Sequence, residues 1–189
     1  MTLEEKAEKT LVQRLLTKES SAWKEVYDLF SGNFSTICYR YIKNREDHRD
    51  ILQNSFVKMF GNIHQFQDRG KGSLRAWMSR IVVNECLQFL RLNGQIQFND
   101  HFEWDNIPDE DQEPEVKDLS AKEILEYISE LSDGYRTIFN LYVFEGKSHK
   151  EIALLLNISE GTSASQFSRA KKILATKIKN YQLLKTNVL

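Results

Sequence analysis

Ser165, Gln166, Arg169 and Lys172 lie three, four, seven and ten residues beyond Thr162, so a helix through this stretch presents all five on one side. Together they carry two hydroxyls, a carboxamide, a guanidinium and an ammonium, with no acid among them. Such a set hydrogen-bonds base edges and phosphate oxygens, and cleaves nothing. Gln166 has the geometry to read adenine, whereas Lys172 suits phosphate alone. The opposite side of the same helix carries Ser163, Phe167, Ala170 and Leu174, which are expected to face neighbouring helices.

Those neighbours are legible in the segment from Leu131 to Leu174. Ser148-His149-Lys150-Glu151 is a capping box, a hydroxyl for early backbone donors and a carboxylate three residues later that reaches back. Ile152, Leu155 and Leu156 give a short apolar face, Asn157-Ile158-Ser159 ends it, and Glu160 opens the next helix. Two short helices, a tight turn and a longer helix make a helix-turn-helix, whose second helix enters the major groove of DNA. From Arg136 to Lys179 there are eight Lys or Arg against three Glu, while the whole chain has net charge −1. A near-neutral chain with one basic end implies a local nucleic-acid footprint.

No comparable constellation supports catalysis. His48, His64, His101 and His149 are scattered without a metal-ligand partner at helical spacing; His48 near Asp47 and Asp50 comes nearest to a cluster. No glycine-rich phosphate loop follows a strand and no nucleophile elbow occurs, so no catalytic residue, metal or cofactor is expected. Cys38 and Cys86 are the only cysteines and stand far apart, which argues against a disulfide framework or a cysteine zinc site. No apolar run approaches a membrane span, and MTLEEKAEKT lacks a signal peptide's apolar core. The expectation is a soluble cytoplasmic protein without membrane insertion.

With 189 residues, 41% of them hydrophobic, and only 2 prolines, the chain is expected to fold mostly as helix in one or two domains. From Leu11 to Asn93 apolar residues recur at helical spacing: Trp23, Val26, Tyr27 and Phe30; Phe34, Ile37, Cys38, Tyr41 and Ile42; Ile51, Leu52, Phe56, Met59 and Phe60; Leu74, Trp77, Met78, Ile81 and Val82. Asn44-Arg45-Glu46-Asp47 and Asp68-Arg69-Gly70-Lys71-Gly72-Ser73 read as turns between them. From Asp100 to Glu115 there are eight carboxylates, both prolines and no Lys or Arg, the composition of a linker. Helical periodicity resumes at Val116, Leu119, Ile124, Leu125 and Ile128. The expected fold is all-α: a helical domain over 1–95, an acidic linker over 96–115 and a helix-turn-helix domain over 116–189.

The order of these segments resembles a bacterial RNA polymerase sigma factor of the sigma-70 family, extracytoplasmic-function (ECF) group. Glu46-Asp47-His48-Arg49-Asp50-Ile51-Leu52-Gln53-Asn54-Ser55-Phe56 resembles the segment with which that family binds the clamp helices of the polymerase's largest subunit. Gly72-Ser73-Leu74-Arg75-Ala76-Trp77-Met78, with Ile81, Asn84 and Leu90-Arg91, resembles the segment that melts and reads the −10 element. Leu131-Ser132 through Lys172 resembles the segment that reads the −35 element. Three such matches in order, around an acidic linker, are far more specific than any one alone.

The resemblance implies three tasks. Asp50, Gln53 and Asn54, with Met59 or Phe60, would meet core RNA polymerase, although Asn54 stands where the family commonly has glutamate. Arg75, Trp77, Arg80, Asn84, Gln88 and Arg91 would handle the −10 strand, holding a base outside the stack while cations track the phosphates. The turn around Val83-Asn84-Glu85 would be the base-selecting loop between two helices. Thr162, Ser165, Gln166, Arg169 and Lys172 would read the −35 duplex, with Ala164 and Gln166 where the family often has basic residues and Ser163 where it has an apolar one. Two fewer charges flatten the salt dependence of binding. The linker, with Phe102, Trp104 and Ile107, would thread through polymerase toward the RNA exit path. With no sensor domain evident, an anti-sigma protein is the expected regulator, masking the polymerase-binding face, the recognition helix or both. The competing readings are an operator-binding regulator and a sigma-like occupant of polymerase that does not initiate.

Overall fold

The computed structural model describes residues 3–94, 96 and 119–186. Among them every regular element is helical: α1 (Leu3–Leu16), α2 (Ser20–Tyr41), α3 (Arg45–Asn62), a 3-10 turn (Ile63–Gln65), α4 (Ser73–Leu92), α5 (Ala121–Glu130), α6 (Asp133–Val143), α7 (His149–Leu156) and α8 (Glu160–Thr186). The chain divides into two compact units, Met1–Leu92 and Asn93–Leu189. Asp100 to Glu115, with Phe102, Trp104 and Ile107, lies outside the described residues, as does Val116. None of the described helices is long and apolar enough to cross a membrane.

In the first unit α4 packs against both α2 and α3. It buries Leu74, Met78, Val82, Val83, Cys86, Leu87 and Leu90, a stripe that returns every three or four residues. Phe34, Cys38 and Tyr41 of α2 and Met59 of α3 complete a core of fully buried side chains. Cys38 and Cys86 meet within it as free thiols, Sγ to Sγ 3.9 Å. The hydrogen bond to Cys38, together with burial, pushes the Cys86 thiol well above its ordinary range.

The expected turn at Asn44–Asp47 is instead a helix start. Asn44 is the N-cap, its side chain accepting the Glu46 and Asp47 N–H groups at 2.8 and 3.1 Å, and both acids sit at the positive end of the helix. His48 is structural: its Nε2 lies 3.1 Å from the Ser35 carbonyl oxygen, tying α3 to α2.

In the second unit α8 packs against α5, α6 and α7. A second capping box, Ser120 with Glu123, starts α5. Ile128, Leu131, Tyr135, Ala170 and Leu174 form the core, with Ile124, Tyr127, Phe139 and Ile173 against it. Arg136 is 2% exposed; it donates to the Leu131 carbonyl at 2.9 Å and pairs with Asp133. Burial lowers its pKa, against the opposing pull of Asp133. One of the eight cations counted toward the basic end is therefore a core strut, and Lys177 is paired with Glu130. The cationic surface of the second unit is smaller than the sequence count implies.

Candidate nucleic-acid and partner interfaces

The capping box at α7 is fully formed. Glu151 N–H donates to Ser148 Oγ at 3.3 Å, and the Glu151 carboxylate accepts the Ser148 N–H and hydroxyl, each at 2.8 Å. These bonds, the backbone one foremost, hold the Glu151 carboxyl below the usual carboxylate range. Asn157 ends α7 in the left-handed region at φ 57°. Ser159 then caps α8, accepting the Thr162 N–H at 2.9 Å. Local chemistry thus sets both ends of the turn and the entry of α8.

Along α8 the buried row is Ser163, Gln166, Ala170, Leu174 and Ile178. Gln166 is only 1% exposed, so it cannot read a base as expected; it continues the inward row three residues after Ser163 and four before Ala170. Its Nε2 has no hydrogen-bond partner. Thr162, Ser165 and Arg169 are half-buried, with the Arg169 Nη1 atom inside, and Lys172 is exposed. Ala164, Ser168 and Lys171 are exposed beside them, and the sequence reading passed over Ser168 and Lys171.

Polar Ser163 in the inward row is explained by its partner. His149 Nδ1 lies 3.0 Å from Ser163 Oγ, and the imidazole stacks on Tyr142 with ring centroids 4.6 Å apart. Tyr142 in turn meets Phe167 at 4.3 Å, so one aromatic group joins α6, α7 and α8.

On the first unit, Arg80, Asn84, Gln88 and Arg91 are all exposed and lie four, four and three residues apart along α4. They form a single row of amides and cations. Lys58 of α3 donates to Gln88 Oε1 at 3.3 Å and pairs with Glu85. Arg75 does not belong to this row. It falls on the far side of α4, its Nε 3.4 Å from Asn33 Oδ1, and lines a different cleft with Glu8 and Glu25.

The expected loop at Val83–Glu85 does not exist. α4 continues unbroken from Ser73 to Leu92, and Val83 is buried. The irregular segment lies earlier, between the 3-10 turn and α4, where Gly70 and Gly72 adopt φ +99° and +80°. It opens a cleft of about 370 Å³ lined by Gln65, Gln67, Arg69, Lys71, Trp77 and Arg80, among others. Trp77 is half-buried, its ring edge-to-face with Phe66 at 5.7 Å, and so forms a wall of that cleft instead of a core plug. Arg80 belongs to both cleft and row, making one continuous surface.

On α3, Asp50, Gln53, Asn54 and Phe60 are exposed on one side. Met59 is not available: it is 0% exposed, in the inward row Ile51, Ser55, Met59. Val57, which the sequence reading missed, lies seven residues after Asp50 and is 64% exposed. Tyr27 of α2, 54% exposed, stands against Phe56, and Phe60 lies edge-on to Trp23 at 5.3 Å. Among the described residues no group of His, Cys, Asp and Glu is arranged to hold a metal.

Two family models match the chain: sigma-70 region 2 over residues 27–95 and sigma-70 region 4 over residues 121–174. The chain belongs to the sigma-70 family. Within that family several of its relatives are ECF sigma factors. The ECF RNA polymerase sigma-E factor of Haemophilus influenzae is 24% identical over 186 residues, covering 93% of this chain and 97% of that protein. The ECF sigma factor SigW of Bacillus subtilis is 24% identical over 183 residues, covering 91% and 97%. The Bartonella quintana sigma factor RpoE, solved with the anti-sigma factor NepR, shares the fold with a TM-score of 0.51 at 21% identity, over 82% of this chain and 96% of that one. This sigma factor is accordingly an ECF-group protein of promoter-specific transcription initiation. The region 2 match spans α3, the cleft and the row on α4, and the region 4 match ends at Leu174 in α8.

Proposed function

We propose that this sigma factor docks on core RNA polymerase through the outer side of α3, holds the melted −10 strand on α4 and its adjoining cleft, and reads the −35 duplex with α8. The observation that carries the reading is the continuity of cleft and row through Arg80. A flipped base needs a concave site with donors, acceptors and an aromatic wall, and the neighbouring phosphates need cations leading away from it. Gln65, Gln67, Arg69 and Trp77 supply the first; Arg80 and Arg91, with Asn84 and Gln88 between them, supply the second.

On α3, Asp50, Gln53 and Asn54 orient a partner helix pair while Val57, Phe60 and Tyr27 supply apolar area, the mixture that polar-rimmed interfaces use. On α8, Thr162, Ser165 and Arg169 are the base or phosphate readers and Lys172 a phosphate contact. The factor itself performs no covalent step and needs no cofactor. An anti-sigma protein that covers the α3 side or α8 would silence it, and the Bartonella relative was solved with an anti-sigma factor. The domain division 1–95 and 116–189, with 96–115 as tether, belongs to the same reading.

The test is run-off transcription with purified core polymerase, this protein and a library of promoter fragments. Selective initiation on a subset sharing two sequence blocks is the expected result. Tight DNA binding without polymerase would favour an operator-binding regulator, and co-elution with core without initiation a non-initiating occupant; either would overturn the reading.

A further inference from the structure

The loop beside the base-binding cleft is fastened from outside by α1. α4 begins just after Gly72, which has no side chain to accept the unpaired N–H groups that every helix leaves in its first turn. Glu8, 64 residues earlier, takes that place: its carboxylate accepts the Gly72 N–H at 2.7 Å and the Leu74 N–H at 2.9 Å. The carboxylate also sits at the positive end of α4. Next to it, Lys71 pairs with Glu4.

Inside the loop, Asp68 accepts the Gly70 N–H at 2.9 Å and the Ser73 hydroxyl at 3.3 Å, and Ser73 Oγ accepts the Arg69 N–H at 3.2 Å. These ties set the loop's shape; the Glu8 bonds set where that shape stands relative to the helices. α1 is itself clamped to α2 by Arg14, whose Nη1 donates to Glu25 at 2.7 Å. Glu8 does not line the base-binding cleft. It lines the neighbouring one, and Lys71 and Gly72 form the wall common to both.

We propose that Glu8 is a positioning residue for −10 base selection, holding the Lys71–Gly72 wall at the height at which Arg69, Lys71 and Trp77 enclose an extruded base. The proposal rests on the −10 assignment of the cleft made above. Base selection demands placement of donors to within a fraction of an ångström. A loop released at one end keeps its residues and loses that placement.

The experiment uses holoenzyme assembled from core polymerase with wild type, Glu8→Gln, Glu8→Ala or Arg69→Ala protein. Single-stranded DNA randomised across the −10 stretch is first selected on wild-type holoenzyme. Anisotropy then compares the selected sequence with its single-base variants. Glu8→Gln keeps one acceptor and loses the charge, and is expected to lower discrimination several-fold. Glu8→Ala is expected to lower it about tenfold, the effect of about one charge-assisted hydrogen bond. Affinity for core polymerase and the Tm of the Gln variant should stay at wild-type values. Unchanged discrimination in both Glu8 variants, with Arg69→Ala impaired, overturns the role of Glu8 and leaves the cleft reading standing. Wild-type holoenzyme that does not discriminate, or an Arg69→Ala protein equal to wild type, overturns the cleft reading and this proposal with it. A parallel fall in Tm, core affinity and DNA affinity in Glu8→Gln marks a merely structural residue and also overturns it.

Discussion

Gln166 is the sharpest place to test the account, because its residue type and its location make opposite demands. As a glutamine on a recognition helix it should read adenine; as a side chain 1% exposed with an orphaned Nε2 it should be a liability. Leucine has nearly the same volume and no polar atom. Removing one buried unpaired donor recovers about 1–3 kcal/mol, against a reshaping cost of up to about 1.5 kcal/mol for a near-isosteric core exchange. Gln166→Leu should therefore stabilise the second unit by about 1 kcal/mol. Two readouts are needed. Hydrogen exchange by mass spectrometry should show slower exchange across α6, α7 and α8, with the first unit unchanged as an internal control. Affinity of the holoenzyme for its −35 duplex, and its discrimination against single-base changes there, should stay within about twofold of wild type, where losing a bidentate amide–adenine pair would cost about 1–3 kcal/mol. Faster exchange in α8, or a tenfold loss of discrimination at one −35 base pair, would refute the inward placement.

On α3, Met59→Ala should destabilise the first unit by about 2–5 kcal/mol, the range for truncating a fully buried side chain, whereas Val57→Glu should leave Tm unchanged and weaken binding to core polymerase; thermal unfolding and core co-elution separate the two. Lys172→Ala should reduce the slope of log affinity against log salt by about one for −35 duplex binding, measured by titration at several salt concentrations. Glu151 has a folded-state pKa below its ordinary value, so its stabilising contribution is complete above that value and fades as pH falls through the depressed one. Glu151→Gln should accordingly make the acid limb of the second unit's stability curve shallower and leave the neutral limb nearly parallel to wild type, read by hydrogen exchange in α7 between acid and neutral pH.

What the sequence disclosed was local. Ser148 with Glu151, Asn157 with Ala153 and Ser159 with Thr162 each act over three or four residues, and the helix-turn-helix built on them is present as read. The fold class was equally legible, since the apolar rows of α2 and α4 run uninterrupted at helical spacing. The faces of α8 were harder. Ser163 is inward as its spacing with Ala170 and Leu174 implies, with His149 of α7 as its partner, but a polar residue at 166 hides the continuation of the same row. Nothing between Ser73 and Leu92 breaks a helix, so no turn stands at Val83–Glu85; Gly70 and Gly72 mark the irregular segment instead. Met59 carried no mark of its side, because the inward row of α3 includes a serine. Arg136 and Glu8 were beyond reach: one cation is consumed by backbone carbonyls and Asp133, the other acid by amides more than sixty residues away.

The most direct test of the central claim is permanganate footprinting on a promoter selected by this protein, with core polymerase alone, this protein alone and the two together. Reactive thymines are expected in the −10 block only when both are present, with their loss in Trp77→Ala and Arg80→Ala holoenzymes that still bind the −35 duplex. Reactivity that survives in those variants, or that appears away from the −10 block, would contradict it.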